Sequence, residues 1–226
     1  MKKTLSRFLS FFIGSKPCAV FFTDSEDCPC FKTINDVNAR SFIFRNVLSS
    51  DAEHKVEQIK RFNNLIVFAH GDRKSLNFFY YEFKNGAEQK VFISDGWWSS
   101  LVKSKRNIYF HSCHGAKILL ENSIIRNFFD AWVSYNDIVY GFFSSNDRIT
   151  SIQRKFFNLV TREVTKKRSP KALKSAIEGA YYSIKGDLED LGVVDPTNPN
   201  CNRDYIFPII ACVGKNISGL NYSTFN

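Results

Sequence analysis

A mixed α/β fold, with a mostly parallel central sheet flanked by helices on both faces, is what the amino-acid sequence predicts. Three observations carry this expectation. Short apolar runs alternate with segments of helical periodicity along most of the chain. Two of those runs, Asn64-Leu65-Ile66-Val67-Phe68 and Asn107-Ile108-Tyr109-Phe110, are apolar almost throughout, in the manner of strands buried on both faces. Both also end in a reactive side chain followed closely by glycine, as Ala69-His70-Gly71 and as His111-Ser112-Cys113-His114-Gly115. If the two strands are neighbours in one parallel sheet, their carboxyl ends bring His70 and Cys113 into the crevice where open α/β sheets carry their sites.

The elements follow in order. Cys18 to Phe22 reads as a first strand, followed by a turn-rich loop, Asp24-Ser25-Glu26-Asp27-Cys28-Pro29-Cys30. Ser41 to Leu48 reads as a second strand. Ser50 then caps a helix, with Glu53 completing a capping box and Val56, Ile59 and Phe62 as the buried stripe. The strand ending at His70 comes next. Leu76 to Phe83 and Lys90 to Ile93 flank Asn85-Gly86, the signature of a β-hairpin. A short helix near Ser94 carries Trp97, Trp98, Leu101 and Val102 and leads into the strand ending at Cys113. A helix over Lys117 to Phe129 and a strand over Asp137 to Phe142 are expected after it. Thr150 with Gln153 opens a helix carrying Ile152, Phe156, Leu159, Val160 and Val164. Ser169-Pro170 opens another, with N-cap and first-turn residues in the favoured order. Asp195 to Asn200 is a loop, and Tyr205 to Val213 reads as a final strand.

With 226 residues, 44% hydrophobic and 23% charged, the chain has the material for a single domain over residues 1–226. Its core is expected over about residues 18–213, with short extensions at both ends. The 23 Phe against one Met point to a core built of aromatics. A net charge of +9 favours acidic partners in general, but the basic residues are spread thinly and RNA-module and zinc-finger motifs are missing. Nucleic acid is therefore not the expected partner. Cysteines stand at 18, 28, 30, 113, 201 and 212. A chain of this size does not need disulfide staples, and Cys18 and Cys212 sit in apolar runs, so a reducing, cytoplasmic setting is expected. Secretion or translocation as an effector stays open as the alternative. The apolar stretch Phe8-Leu9-Ser10-Phe11-Phe12-Ile13 is short for a signal peptide, and no run is long enough to span a membrane.

Ala69-His70-Gly71 and His111-Ser112-Cys113-His114-Gly115 resemble the two motifs of the clan CD cysteine peptidases, the group of caspases, metacaspases and CHAT-type proteases. The cysteine motif is similar to the Gln-Ala-Cys-Arg-Gly of caspases and shares Ser-Cys-His with the metacaspase motif. The separation of 43 positions between His70 and Cys113 is close to the caspase spacing of about 50. Ile138-Val139-Tyr140-Gly141-Phe142 and the helix pair after it resemble the carboxyl end of CHAT domains. The resemblance covers residues 18 to 185 and implies a three-layer caspase-like fold.

It also implies a cysteine endopeptidase acting on protein substrates through a Cys113 acyl-enzyme. His70 would be the general base, and the backbone N–H groups of Gly71 and Cys113 the oxyanion-hole donors. His111 would line the pocket for the residue before the scissile bond, with Ser112 beside it. Metacaspases carry Asp at the position of His111, so the basic preference that goes with that Asp is not expected here. The thiolate is the nucleophilic form of cysteine, and an adjacent histidine favours it. No metal or organic cofactor is required for this chemistry. A zinc reading of His111, Cys113 and His114 is disfavoured, because consecutive strand residues point to opposite faces and no paired Cys-x2-Cys spacing occurs. The alternative function is a noncatalytic caspase-fold module whose basic, aromatic-rich surface binds a protein or nucleic-acid partner. A separate regulatory or activating protein stays open in either case.

Overall fold

A computed structural model describes residues 18–22, 39–45, 47, 49–62, 64–101, 107–141, 146–166, 169–193 and 203–224. The loop around Cys28 and Cys30, the stretch 8–13, Val102, Ser144, Ser145, the loop 195–200 and Cys201 lie outside them. The chain begins with β1 (Cys18–Phe22), β2 (Arg40–Phe44), α1 (Ser50–Ile59) and β3 (Asn64–Phe68). A small unit follows: β4 (His70–Asp72), β5 (Asn77–Lys84) and β6 (Ala87–Phe92). Then come α2 (Asp95–Leu101), β7 (Asn107–His111), α3 (Gly115–Glu121), α4 (Ser123–Arg126) and β8 (Ala131–Tyr135). The last elements are α5 (Asp147–Thr165), α6 (Pro170–Val193), α7 (Arg203–Gly219) and β9 (Leu220–Thr224).

Six strands form the central sheet in the order β2-β1-β3-β7-β8-β9. All neighbouring pairs are parallel except β8 with β9, which is antiparallel at the edge. Alternation along the strands divides the core between the two faces. Leu65, Val67, Ile108 and Phe110 point to one face, where they meet α1, α2, α3 and α4. Ile66, Phe68, Tyr109, Val133 and Tyr135 point to the other, against α5, α6 and α7. The predicted α/β architecture, with helices on both faces of a mostly parallel sheet, is therefore present.

Local chemistry explains the element boundaries. Ser49, one residue before the expected cap, accepts a hydrogen bond from the Ala52 N–H at 3.1 Å and starts α1. Asn146 starts α5 by accepting from Arg148, so the cap lies four residues ahead of Thr150. Ser169 and Pro170 open α6 as expected, with the Ala172 N–H donating to the Ser169 hydroxyl. The hairpin turns at Asn85 and Gly86, both with positive φ (54° and 78°), which is the two-residue turn that matches strand twist.

Three expectations need correction. The helix over Lys117 to Phe129 is two short helices, because Asn122 adopts an extended backbone. Its side chain caps α4 and ties it to the carbonyl of Leu76. The strand lies at Ala131–Tyr135, and residues 137–141 form an irregular loop. Tyr205 to Val213 belongs to helix α7, whose buried residues Ile206, Ile209, Val213 and Asn216 recur at helical spacing. The final strand is β9.

The aromatic core is densest around Trp98, which is fully buried. Phe78, Phe110, Phe129 and Trp97 all contact its ring, mostly edge-on, with centroids 5.1–6.1 Å away. Trp97 is buried too, so the pair belongs to the core. Trp98→Ala is expected to cost about 3–5 kcal/mol, read as a lowered urea midpoint with little change in slope.

Candidate active site

β3 and β7 are adjacent and parallel, with Phe68 in register with His111. Both chains therefore leave the sheet at the same level and on the same edge. The β3 chain turns at Ala69 into β4, and the β7 chain passes through Ser112 and Cys113 into α3. The two exits touch. A Cβ on Gly71 would overlap the Cys113 carbonyl oxygen and stand 2.9 Å from the Ser112 hydroxyl. Glycine is needed at 71 because the Cys113 backbone occupies the place of a side chain, whatever a substrate requires of it. Gly115 follows the same logic, since a Cβ there would collide with the Ser134 hydroxyl, which donates to the Phe110 carbonyl.

His70 is exposed and stacks on Phe79, its cross-strand partner, with centroids 5.1 Å apart. Tyr81 meets the same ring edge-on at 5.2 Å. The desolvation these rings impose lowers the His70 pKa; Glu88 opposes the shift and Lys90 adds to it. The imidazole is thus biased towards its neutral, proton-accepting form. Lys90 also lies over the Phe79 and Phe92 rings and pairs with Asp72, and its hydrogen bond is the largest cause holding the Asp72 carboxyl at about 2.

Cys113 is a free, half-buried thiol in the turn before α3. Its sulfur accepts from the Val139 N–H at 3.4 Å and lies 4.0 Å from the Val139 carbonyl. Among the described residues no hydrogen bond joins it to the His70 ring. The Cys113 backbone N–H likewise takes no acceptor there. His114 bridges β7 to α3 in the left-handed region (φ 52°) and donates its N–H to the Asp137 carbonyl. Its ring faces Asn136 and Asp137.

Ser112 is buried at 2% exposure, with its hydroxyl donating to the Cys113 carbonyl, and so offers a substrate almost no surface. His111 turns to the α5 face of the sheet, among Phe68, Phe157, Tyr135 and Tyr109, with centroids 5.3–6.1 Å away. The residue keeps some accessible surface, yet desolvation of the ring lowers its pKa to about 4. Its Nδ1 lies 3.0 Å from the Tyr109 hydroxyl. That hydroxyl is 2.6 Å from Tyr135, which is 2.8 Å from Tyr181. Burial raises the pKa of all three phenols, so all are neutral donors and acceptors.

Beyond Tyr181 lies Asn216 on α7, whose side chain opposes the rise of the Tyr181 pKa. Asn216 is 1% exposed and clamps one residue twice: its Oδ1 accepts from the Tyr140 N–H at 2.8 Å, and its Nδ2 donates to the Tyr140 carbonyl at 2.9 Å. No site role for Val139 or Asn216 is legible in the sequence motifs. The one signal for Asn216 is a polar residue on the buried stripe of an otherwise apolar helix face. Among the described residues no cluster of three or more His, Cys, Asp or Glu is placed to hold a metal ion, and no helix is long and apolar enough to cross a membrane. No family model, curated protein or solved structure matches the chain.

Gly71→Ala must push β4 off the Cys113 backbone, and an overpacking cost of about 1–3 kcal/mol is expected from urea denaturation. Gly186→Ala in α6, where nothing lies within 4 Å of the added methyl, is the control and is expected to be neutral or stabilising. His111 gives a pH signature. Its folded pKa of about 4 lies below its ordinary 6.5, so the folded chain favours the neutral ring. That preference is fully present above pH 6.5 and is lost as pH falls towards 4. Between pH 7 and pH 4.5, wild type should lose about 2 kcal/mol more stability than His111→Gln.

Proposed function

We propose that the chain is a cysteine endopeptidase of the caspase-like, CHAT-like kind, with Cys113 as nucleophile and His70 as general base. The observation that carries this reading is the contact between Gly71 and the Cys113 backbone, which joins the His-Gly and Cys motifs at the carboxyl ends of adjacent parallel strands. The lowered pKa of His70 supports it, since the base must be neutral to accept a proton near pH 7. So does a sheet that is parallel apart from one antiparallel edge strand, with a hairpin unit inserted directly after the histidine.

In this mechanism His70 takes the thiol proton and the Cys113 sulfur attacks the peptide carbonyl. The oxyanion is met by the Cys113 N–H, which has no acceptor among the described residues, and by the Gly71 N–H. The attack forms the C–S bond, and collapse of the tetrahedral intermediate breaks the C–N bond to leave a thioester, with the departing amine taking the proton from His70. Water, activated by the same imidazole, hydrolyses the thioester. Substrate must bring the imidazole and thiol together, because the thiol is now engaged with Val139 and the ring with Phe79. Catalytic hydrogen bonds that tighten only on binding are common. The reaction needs no metal or organic cofactor. The setting we favour is regulated proteolysis in a microbe, in defence and cell suicide or as an effector, with the chain cytoplasmic before any delivery.

The noncatalytic alternative is favoured by one feature: among the described residues the His70 ring, stacked on Phe79, makes no hydrogen bond to the thiol. Per-residue alkylation separates the two. As a protease, wild type should show Cys113 reacting faster than Cys212, and His70→Ala should slow Cys113 alone. Activity should fall at least 100-fold in both Cys113→Ala and His70→Ala. New protein N-termini that appear with wild type and not with Cys113→Ala would identify the substrates. A Cys113 no more reactive than Cys212, and indifferent to His70→Ala, would sink the protease reading.

A further inference from the structure

We infer that Asn216 is a positioning residue for Cys113: its carboxamide holds the Val139–Tyr140 backbone so that the Val139 N–H stays aimed at the thiol sulfur. This inference rests on Cys113 being the nucleophile. The loop after β8 has no strand partner at 139–140, so something other than the sheet must fix it. Asn216 does so with a geometry few side chains provide, accepting from the N–H and donating to the carbonyl of the same residue, Tyr140. Neighbouring contacts support the clamp. The Asn136 N–H donates to the Gly219 carbonyl, Asn221 donates to the Asn136 side chain, and Lys215 lies over the Tyr140 ring at 4.6 Å.

Both ends of the sulfur contact are anchored in one network. On one side, β7 carries Tyr109 and His111 and then Cys113 itself. On the other, Tyr181 links through Tyr135 to Tyr109 and influences, and is influenced by, the Asn216 side chain that holds the loop. The donor and the sulfur are thus referenced to the same buried polar cluster, with side chains from β7, β8, α6 and α7. The consequence is chemical. Val139 presents both an N–H and a carbonyl to the sulfur, and the N–H contact is the shorter. A thiolate can only accept, and an N–H bond to an ionised acceptor is roughly twice as strong as one between neutral groups. Holding that amide in place keeps a donor for the ionised sulfur and fixes its orientation, and a small slackening of the loop loses both.

The test uses the full chain, with iodoacetamide at pH 7 as the probe and peptide mass spectrometry to give a rate for each cysteine. In Asn216→Ala, Cys113 should react about tenfold more slowly, the loss expected for one net hydrogen bond. Cys18 and Cys212 should be unchanged. Asn216→Asp keeps the acceptor for the Tyr140 N–H and loses the donor, so Cys113 should slow by about threefold. Tyr181→Phe, which removes the hydroxyl link and keeps the ring, should slow it about twofold. A loosened fold gives the opposite signature, since buried Cys18 would speed up. If Asn216→Ala does not fold, the Asp and Phe variants carry the test. The inference is overturned if Cys113 keeps its wild-type rate in every folded variant, or if all cysteines accelerate together. A wild-type Cys113 no faster than Cys212 and indifferent to His70→Ala removes the nucleophile, and the inference with it. A fast, His70-dependent Cys113 that ignores Asn216 removes the positioning role alone.

Discussion

The contact between the Gly71 backbone and the Cys113 carbonyl depends on a single fact of register, the pairing of Phe68 with His111. A parallel pair of strands leaves a sheet on the same edge, and these two leave at the same level. Side chains alternate along a strand, so a slip of one residue would turn Tyr109 and His111 to the face of Trp98. Layers that are aromatic on one side and carry hydroxyl pairs on the other do not tolerate that exchange. The two faces of the sheet therefore hold the register, and the register holds the site. The small antiparallel unit is secondary to this arrangement. Its first strand begins at His70, and its aromatic face, Phe79 and Tyr81, gives the imidazole a surface to rest on.

The face under α5, α6 and α7 presents a physical puzzle, because it buries three tyrosine hydroxyls, an imidazole and a carboxamide in an otherwise apolar layer. An unpaired buried hydroxyl costs roughly 1–3 kcal/mol. Each phenol here has a neighbour within 2.6–3.0 Å, and that cost is avoided by making the groups partners of one another. Such a chain is all or nothing, since removing a member strands the next. A simple stabiliser would be made of leucine. The hydroxyl chain joins three elements distant in sequence, β7, β8 and α6, which argues that its value lies in fixing relative positions.

The parts of the fold legible in the sequence are those where local chemistry and burial agree. β3 and β7 are readable because strands covered on both faces are apolar throughout, and the hairpin because Asn85-Gly86 suits only a tight turn. The start of α6 is readable from Ser169-Pro170. The failures share one cause. Asp137 to Phe142 has the apolar content of a strand, and its described part is partly buried, but against the Cys113 turn and α7 rather than beside β8. Burial leaves the same mark on a sequence whichever surface supplies it. Tyr205 to Val213 misleads for a related reason. Pro208 within the run argues against helix, since proline removes a backbone donor, and the buried period becomes visible only when extended to Asn216.

The same contrast separates two kinds of site residue. His70 and Cys113 stand at strand ends, where a reactive side chain beside a glycine is conspicuous in one dimension. Val139 reaches the thiol, and Asn216 the loop that carries Val139, by long-range contacts, and Val139 does so with its backbone, which any residue but proline would supply. His111 lies between these cases. Its position in the motif implies a wall of the substrate pocket, whereas its ring is enclosed by four aromatics and joined to Tyr109. A histidine so enclosed is held neutral, and its Nδ1 is already engaged. Any contact with substrate must then come from what remains of its accessible edge, as an uncharged partner. Under the proposed function, selectivity at that position would rest on shape and on one neutral hydrogen bond, unlike the carboxylate-to-cation attraction that an Asp there would offer.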